Sequence, residues 1–161
     1  MPSMRIAKMT TASRHVALRM TPDGLALAAL IVVIFNMLYF QITSPTFLLV
    51  SLEVPTVTRL LRGQFWYHFS ILGWTTVVAT LAFAVSGRLV VAAGIAAIAA
   101  YAVFSRKWLC RNMDADLAAR DSGDPQAVRR LRRLHWAAML SHSVPFLVLL
   151  GSIPYMDLFP R

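Results

Sequence analysis

The sequence is short of charge, of acid and of cysteine. Charged residues make up 14% of its 161 positions, against roughly 25% in soluble proteins, while 58% are hydrophobic. A soluble domain of this size has no interior large enough to hide so much apolar surface. A bilayer removes the need, because apolar faces can then point outward. Three or four spans of about 20 residues fit the chain and leave no room for a separate soluble domain. The single cysteine, Cys110, excludes an intrachain disulfide. It ends an apolar run as WLC and reads as a small apolar filler. Seven acidic residues face sixteen basic ones, for a net charge of +9. Nucleic acid is not the partner implied. The cations gather in the first twenty residues and just before residue 134, as they do beside membrane spans and anionic headgroups. A phosphate-binding glycine loop, a Cys/His metal pattern and a nucleophile elbow are also missing.

What is present is a series of apolar runs separated by polar punctuation. Residues 1–20 carry Arg5, Lys8, Arg14 and Arg19 without an acid and are expected to form a basic, disordered tail. Met20 opens the fragment MTPDG and offers a second place for translation to start. The apolar run that follows is too long for a signal-peptide core and lacks a small-x-small cleavage site, so it reads as a retained span. Thr21 is the expected N-cap of a helix with Pro22 at its first position.

Four spans follow, at about 25–42, 65–85, 89–104 and 134–153, giving an all-α integral membrane four-helix bundle of residues 21–161. Asn36 lies inside span one. Within residues 46–58, the twelve-residue stretch TFLLVSLEVPTV, with Glu53 and Pro55, is too short to cross. It is expected to continue span one past a kink or to lie at the interface. Arg59, Arg62 and Gly63 read as a polar turn, and Phe65, Trp66 and Tyr67 as a headgroup-level aromatic cluster opening span two. Ser86-Gly87-Arg88 reads as a tight turn between antiparallel spans. In span three Ala92, Ala96 and Ala100 recur every four residues, predicting a bare face for close helix packing. Residues 105–133 form the sizeable polar loop, with eight Lys/Arg and four Asp. Within it Asn112 to Arg120 can prolong span three as a short helix. Gly123 suits a helix C-cap, Asp124 an N-cap and Pro125 a first helical position, from which a helix can run unbroken through span four to Ser152.

Threading follows from charge. With four spans, the 51–64 and 105–133 segments share one side with ten Lys/Arg, against six on the other. The positive-inside rule makes the 105–133 loop cytoplasmic. The six include the basic tail, which argues the other way. A start at Met20, or a fifth crossing through 46–58, would remove that conflict, and the length of 46–58 favours four spans.

The polar residues inside the spans are the candidates for chemistry. His142, between Ser141 and Ser143, stands in the last span. Pro145 lacks the N–H that would pair with the Ser141 carbonyl. His135 precedes His142 by seven residues, close to two turns, and so shares its helix face. His68 enters span two; His15 is in the tail. Asn36 and Glu53 complete a polar intramembrane set with His142, Ser141 and Ser143. A histidine so placed serves either as a helix–helix hydrogen bond or as a haem or metal ligand, a proton relay or a substrate contact. His68, His135 and His142 are the ligand candidates.

The stretches SPTFLLVSLEVPTVTRLLRGQFWYHF and RRLRRLHWAAMLSHS resemble corresponding stretches of a loosely related group of small four-helix membrane proteins. The group includes copper-resistance-D-type domains, anthrone-oxygenase-like proteins and haem-synthesis protoporphyrinogen oxidases. The resemblance implies a four-helix membrane fold, with His135 as the position that carries over, and it brings haem into view as a cofactor. The haem-linked oxidases bear a histidine early in span one, and span one here has none. The expected function is a transporter-like protein or accessory subunit of the bacterial inner (plasma) membrane. Its partners would be the lipid bilayer and a membrane protein or second copy. The alternative is a haem- or metal-dependent membrane oxidoreductase using span histidines.

Overall fold

The computed structural model describes residues 21–155. The expected basic tail and His15 lie outside the described residues. Four helices run antiparallel in turn: α1 (Pro22–Thr43), α2 (Pro55–Val85), α3 (Leu89–Asp121) and α4 (Ala127–Ser152). Short 3-10 turns occupy Ser44–Leu48 and Ile153–Tyr155. The chain is an all-α bundle, and all four helices are long and apolar enough to cross a membrane. It is therefore an integral, multi-pass membrane protein in contact with lipid. The 46–58 stretch does not form a crossing of its own.

Each helix buries a narrow stripe and turns apolar side chains outward. On α1 the stripe is Ala26, Leu30, Val33, Met37 and Phe40, alternating steps of four and three as a helix facing its neighbours requires. Phe35, Leu81, Val90 and Leu147 are exposed on the outside, where lipid accommodates them. The caps follow the sequence signals. The Gly24 N–H donates to Thr21 Oγ1 at 3.1 Å, with Pro22 in the first turn. Gly87 and Gly123 take φ of +77° and +92°. At each, the residue after the glycine donates back across the helix end: Arg88 N–H to the Phe83 carbonyl and Asp124 N–H to the Ala119 carbonyl. Only a residue without Cβ enters this conformation at low cost. Arg88 also pairs with Asp23 at 3.2 Å, fastening the start of α1 to the α2–α3 turn.

Four expectations are corrected. The 105–133 segment is not a loop. α3 runs to Asp121 and α4 begins at Ala127, so the turn between them is five residues. The reason is a core that outlasts the spans: Leu109 and Met113 on α3, Leu131 and Leu134 on α4 and Leu61 on α2 are all buried. Arg62 pairs with Asp114, and Arg130 pairs with Asp116 and Asp124, each at 2.7 Å. The polar turn at Arg59, Arg62 and Gly63 is likewise absent, because Pro55 starts α2 ten residues earlier than expected. Third, the N-cap lies two residues beyond Asp124. Asp124 Oδ1 accepts from the Gln126 N–H at 2.8 Å, an Asx turn that holds Pro125 outside the helix. The alanine face is also turned differently. Ala92 is buried but Ala96 and Ala100 are exposed. A repeat of four drifts off a 3.6-residue helix, and the packed stripe is Ala92, Ile95, Ile98, Ala102 and Ser105.

Exposed aromatics mark one membrane border. Trp66, Trp108 and Trp136 are each exposed. Trp66–Val85, Leu89–Trp108 and Trp136–Tyr155 each cover nineteen steps, about 29 Å of helix. That matches a hydrocarbon core of about 30 Å. Beyond Trp108, α3 continues to Asp121 for about 20 Å, so α2, α3 and α4 rise out of the apolar zone as a charged extension.

Candidate functional site

The deepest polar feature is a pair of histidines, one from α2 and one from α4. On α2 the buried stripe reads Phe65, His68, Phe69, Leu72. On α4 it reads Leu131, His135, Ala138, His142, Leu149. In both, a histidine occupies a register position that elsewhere carries an apolar side chain, so folding the stripe inward carries the imidazole with it. The His68 and His142 rings meet edge to face, with centroids 4.8 Å apart. Phe40 of α1 stacks on His68 at 4.2 Å and lies edge-on to His142 at 4.8 Å. Phe69 and Tyr101 complete the enclosure. Every helix contributes a ring. His68 is 4% exposed and His142 0%, and none of their four ring nitrogens has a hydrogen-bond partner among the described residues. The Met37 carbonyl approaches His142 without hydrogen-bonding geometry. Buried polar atoms are nearly always paired, so two orphaned imidazoles in contact are an exception that needs a reason.

His135 sits about two turns nearer the charged end, on the same α4 face. Its Nε2 lies 3.1 Å from the Ser44 carbonyl. A carbonyl only accepts, so Nε2 carries the proton and donates. Phe65 and Phe47 flank the ring. This histidine closes the 3-10 turn onto α4, a structural role.

The serines on either side of His142 point to different neighbours. Ser141 donates to the Ala138 carbonyl at 3.0 Å, so the 3.1 Å contact with Tyr101 has the phenol as donor. Ser143 donates to the Met139 carbonyl at 2.9 Å and accepts from Gln41 Nε2 at 2.9 Å. Both hydroxyls bond back along their own helix, and α4 stays one helix through Pro145. Asn36 is half-buried, with its Oδ1 buried and unpaired. Glu53 is exposed on the segment before α2. A site shared by His142 and Glu53 is not formed: Leu52 turns into the core while Glu53 next to it is exposed, and His142 is fully buried.

Asn36 instead joins His68 in a groove of about 620 Å³ between α1 and α2, with Thr43, Arg59, Gln64 and Tyr67 among its lining. Gln64 Nε2 donates to Thr43 Oγ1 at 2.9 Å, leaving Gln64 Oε1 buried and unpaired. No family model, curated protein or solved structure matches the chain. The site is therefore read from its own chemistry.

A haem or metal centre does not fit these residues. A metal ion takes roughly 2 Å to each imidazole nitrogen, and rings in edge-to-face contact under Phe40 leave no gap for a macrocycle. Among the described residues no three His, Cys, Asp or Glu side chains converge. His135 has Nε2 committed to Ser44. Sequence reasoning missed Phe40, Gln41, Gln64 and Tyr101. The signal for Gln64 was present in the apolar register of Leu61, Phe65, Phe69 and Leu72, spaced four, four and three, which places it close to the packed face.

Proposed function

We propose that the protein is a small transporter-like membrane protein or accessory subunit whose working centre is the His68–His142 pair. It would sit in a bacterial inner (plasma) membrane with the charged extension cytoplasmic. The observation that carries this reading is the pair itself: two imidazoles buried inside the bundle, enclosed by aromatic rings and hydrogen-bonded to none of the described residues. Intramembrane ionisable groups are costly and mark proton or substrate paths. A buried imidazole can take up and release a proton, since each ring nitrogen alternates between donor and acceptor, and a ring rotation that brings a nitrogen of His68 against one of His142 would link the two. Pro145 on the helix that bears His142 is a place where α4 can bend, as in transporters whose spans are interrupted near the binding site. The ten-to-six bias of Lys/Arg supports the sidedness. The resemblance to the copper-resistance-D-type and oxidase-like group supports the four-span layout, with His135 in a structural part.

The test is proton flux into liposomes holding the purified protein and a trapped pH-sensitive dye. Flux above that of empty liposomes is expected from the native protein and from His135→Asn. It should fall to the empty-liposome level with His142→Leu and with His68→Leu. Equal flux from all four would overturn the reading. A Soret absorption band that disappears with His142→Leu would replace it with the haem-dependent oxidoreductase.

A further inference from the structure

We infer that the α1–α2 groove binds a lipid-soluble molecule through two hydroxyl groups on its head. The inference concerns a second part of the proposed site and shares only His68 with the pair. The polar atoms of the groove set the ligand's chemistry. Asn36 Oδ1 and Gln64 Oε1, on side chains that line the groove, are buried acceptors without donors among the described residues. The orientation of the Gln64 amide is fixed by its neighbour: Thr43 Oγ1 already donates to the Tyr39 carbonyl at 2.8 Å, so it can only accept from Gln64, and Nε2 must face it. Thr46 Oγ1 donates to the Thr43 carbonyl at 2.6 Å. Both threonine hydroxyls lining the groove have spent their protons on main chain, and none is left for the two amide oxygens. His68, nine-tenths buried and unpaired at both nitrogens, adds one donor and one acceptor in its neutral form. The inner groove is thus rich in acceptors, and the complement is a ligand that donates.

Shape and position narrow the class. The groove straddles the border at Trp66: Asn36, His68 and Ile71 line it on the apolar side, and Arg59, Leu60, Gly63 and Gln64 on the side of the charged extension. Its walls include the rings of Tyr39, Phe47 and Tyr67. Arg59 lines it two and a half turns before His68, towards the charged extension. A phenolic diol with an apolar tail and a glycerol-headed anionic phospholipid both present paired hydroxyls on a lipid-soluble body. Only the second would also engage Arg59.

The experiment measures binding of defined probes to the native protein in phosphatidylcholine nanodiscs. The probes are decylhydroquinone, its dimethyl ether, and phosphatidylglycerol doped into the disc, with binding read from quenching of the border tryptophans and from native mass spectrometry. A hydroxylated probe is expected to bind and the dimethyl ether to fail. Gln64→Met and Asn36→Leu should each weaken binding by about tenfold, the worth of one hydrogen bond, while helix content is kept. Arg59→Gln separates the sources: it weakens phosphatidylglycerol and leaves the hydroquinone unchanged. Equal binding of the ether and the diol, no binding by either hydroxylated probe, or binding indifferent to both amide substitutions would each overturn the inference. Histidine-dependent proton flux with no probe binding would sink this inference alone. Probe binding without flux would sink the reading above and leave this one standing.

Discussion

His142 and His135 share one helix face and should respond oppositely to loss of the ring. His135 donates to the Ser44 carbonyl. His135→Leu removes that bond from a buried position and should cost about 0.6–2 kcal/mol. The His142 ring has no bond to lose. His142→Leu exchanges an unsatisfied polar ring for an apolar side chain of smaller volume among Phe40, Phe69 and Tyr101, so desolvation relief offsets the packing loss. Stability should change by less than about 1 kcal/mol, while proton flux is lost. Thermal unfolding of both variants in the same nanodisc checks this. A loss at His142 as large as that at His135 would mean that the ring is a packing bond. The sequence made both histidines legible, because a histidine within an apolar run is conspicuous. It did not disclose their partners. Which of Phe40, His68 and Tyr101 meets His142 depends on the rotation of three other helices, and that is set by stripes such as Ala26 to Phe40 acting together.

Elements were legible where caps and turns are local, and less so where tertiary packing decides. Thr21-Pro22 and the glycines at 87 and 123 marked helix ends because the chemistry of a cap is contained in three or four residues. The extension of α2 past its span was missed because charge there reads as loop, and those of α3 and α4 were legible only as helical continuations within a polar segment, while Leu61, Leu109, Met113 and Leu131 supply the core that holds those turns helical. The alanine repeat misled for a geometric reason: four-residue spacing rotates off the packed stripe. Ala92 is the buried member, so Ala92→Leu should destabilise by about 1–3 kcal/mol through overpacking. Ala96→Leu, on the outside, should change stability by less than about 0.5 kcal/mol. Equal losses in thermal unfolding would show that the Ala96 face is covered.

The α3–α4 turn carries a pH dependence of its own. The Asp124 carboxyl is held below the usual carboxylate range, first by the Gln126 N–H and then by Arg130. A depressed folded-state value means that the charged form favours the fold. The contribution is present above the ordinary carboxylate range and is lost as pH falls through the folded-state value. Asp124→Asn should therefore lower the melting temperature at pH 7, and the gap to the native protein should close in acid. A gap that stays constant down to pH 2 would show that the carboxylate is irrelevant to the turn.

At the scale of the whole molecule, the charge distribution and the border tryptophans make one statement about orientation. The helices measure about 29 Å from Trp66, Trp108 and Trp136 to their opposite ends, one hydrocarbon thickness. Everything beyond the tryptophans is the charged extension, with Arg111, Arg129, Arg132 and Arg133 around its base and Lys107 at the border beside Trp108. Clustered Lys and Arg next to spans are retained in the cytoplasm and meet an anionic leaflet there. Ser122 lies at the tip of this extension, about 20 Å past Trp108, and Ser86 lies in the turn at the far end. A cysteine placed at Ser122 should resist a membrane-impermeant thiol reagent in intact cells and react in inverted vesicles; one placed at Ser86 should do the reverse. Cys110 is buried and should contribute little background, which Cys110→Ala would check. Because four antiparallel spans fix the two turns on opposite sides, the pair of sites tests topology and orientation separately. Labelling of both positions from the same side would break the four-span arrangement. Labelling of Ser122→Cys from outside, with Ser86→Cys protected, would keep the bundle and invert it, placing the basic collar, and the groove that opens beside it, in the outer leaflet.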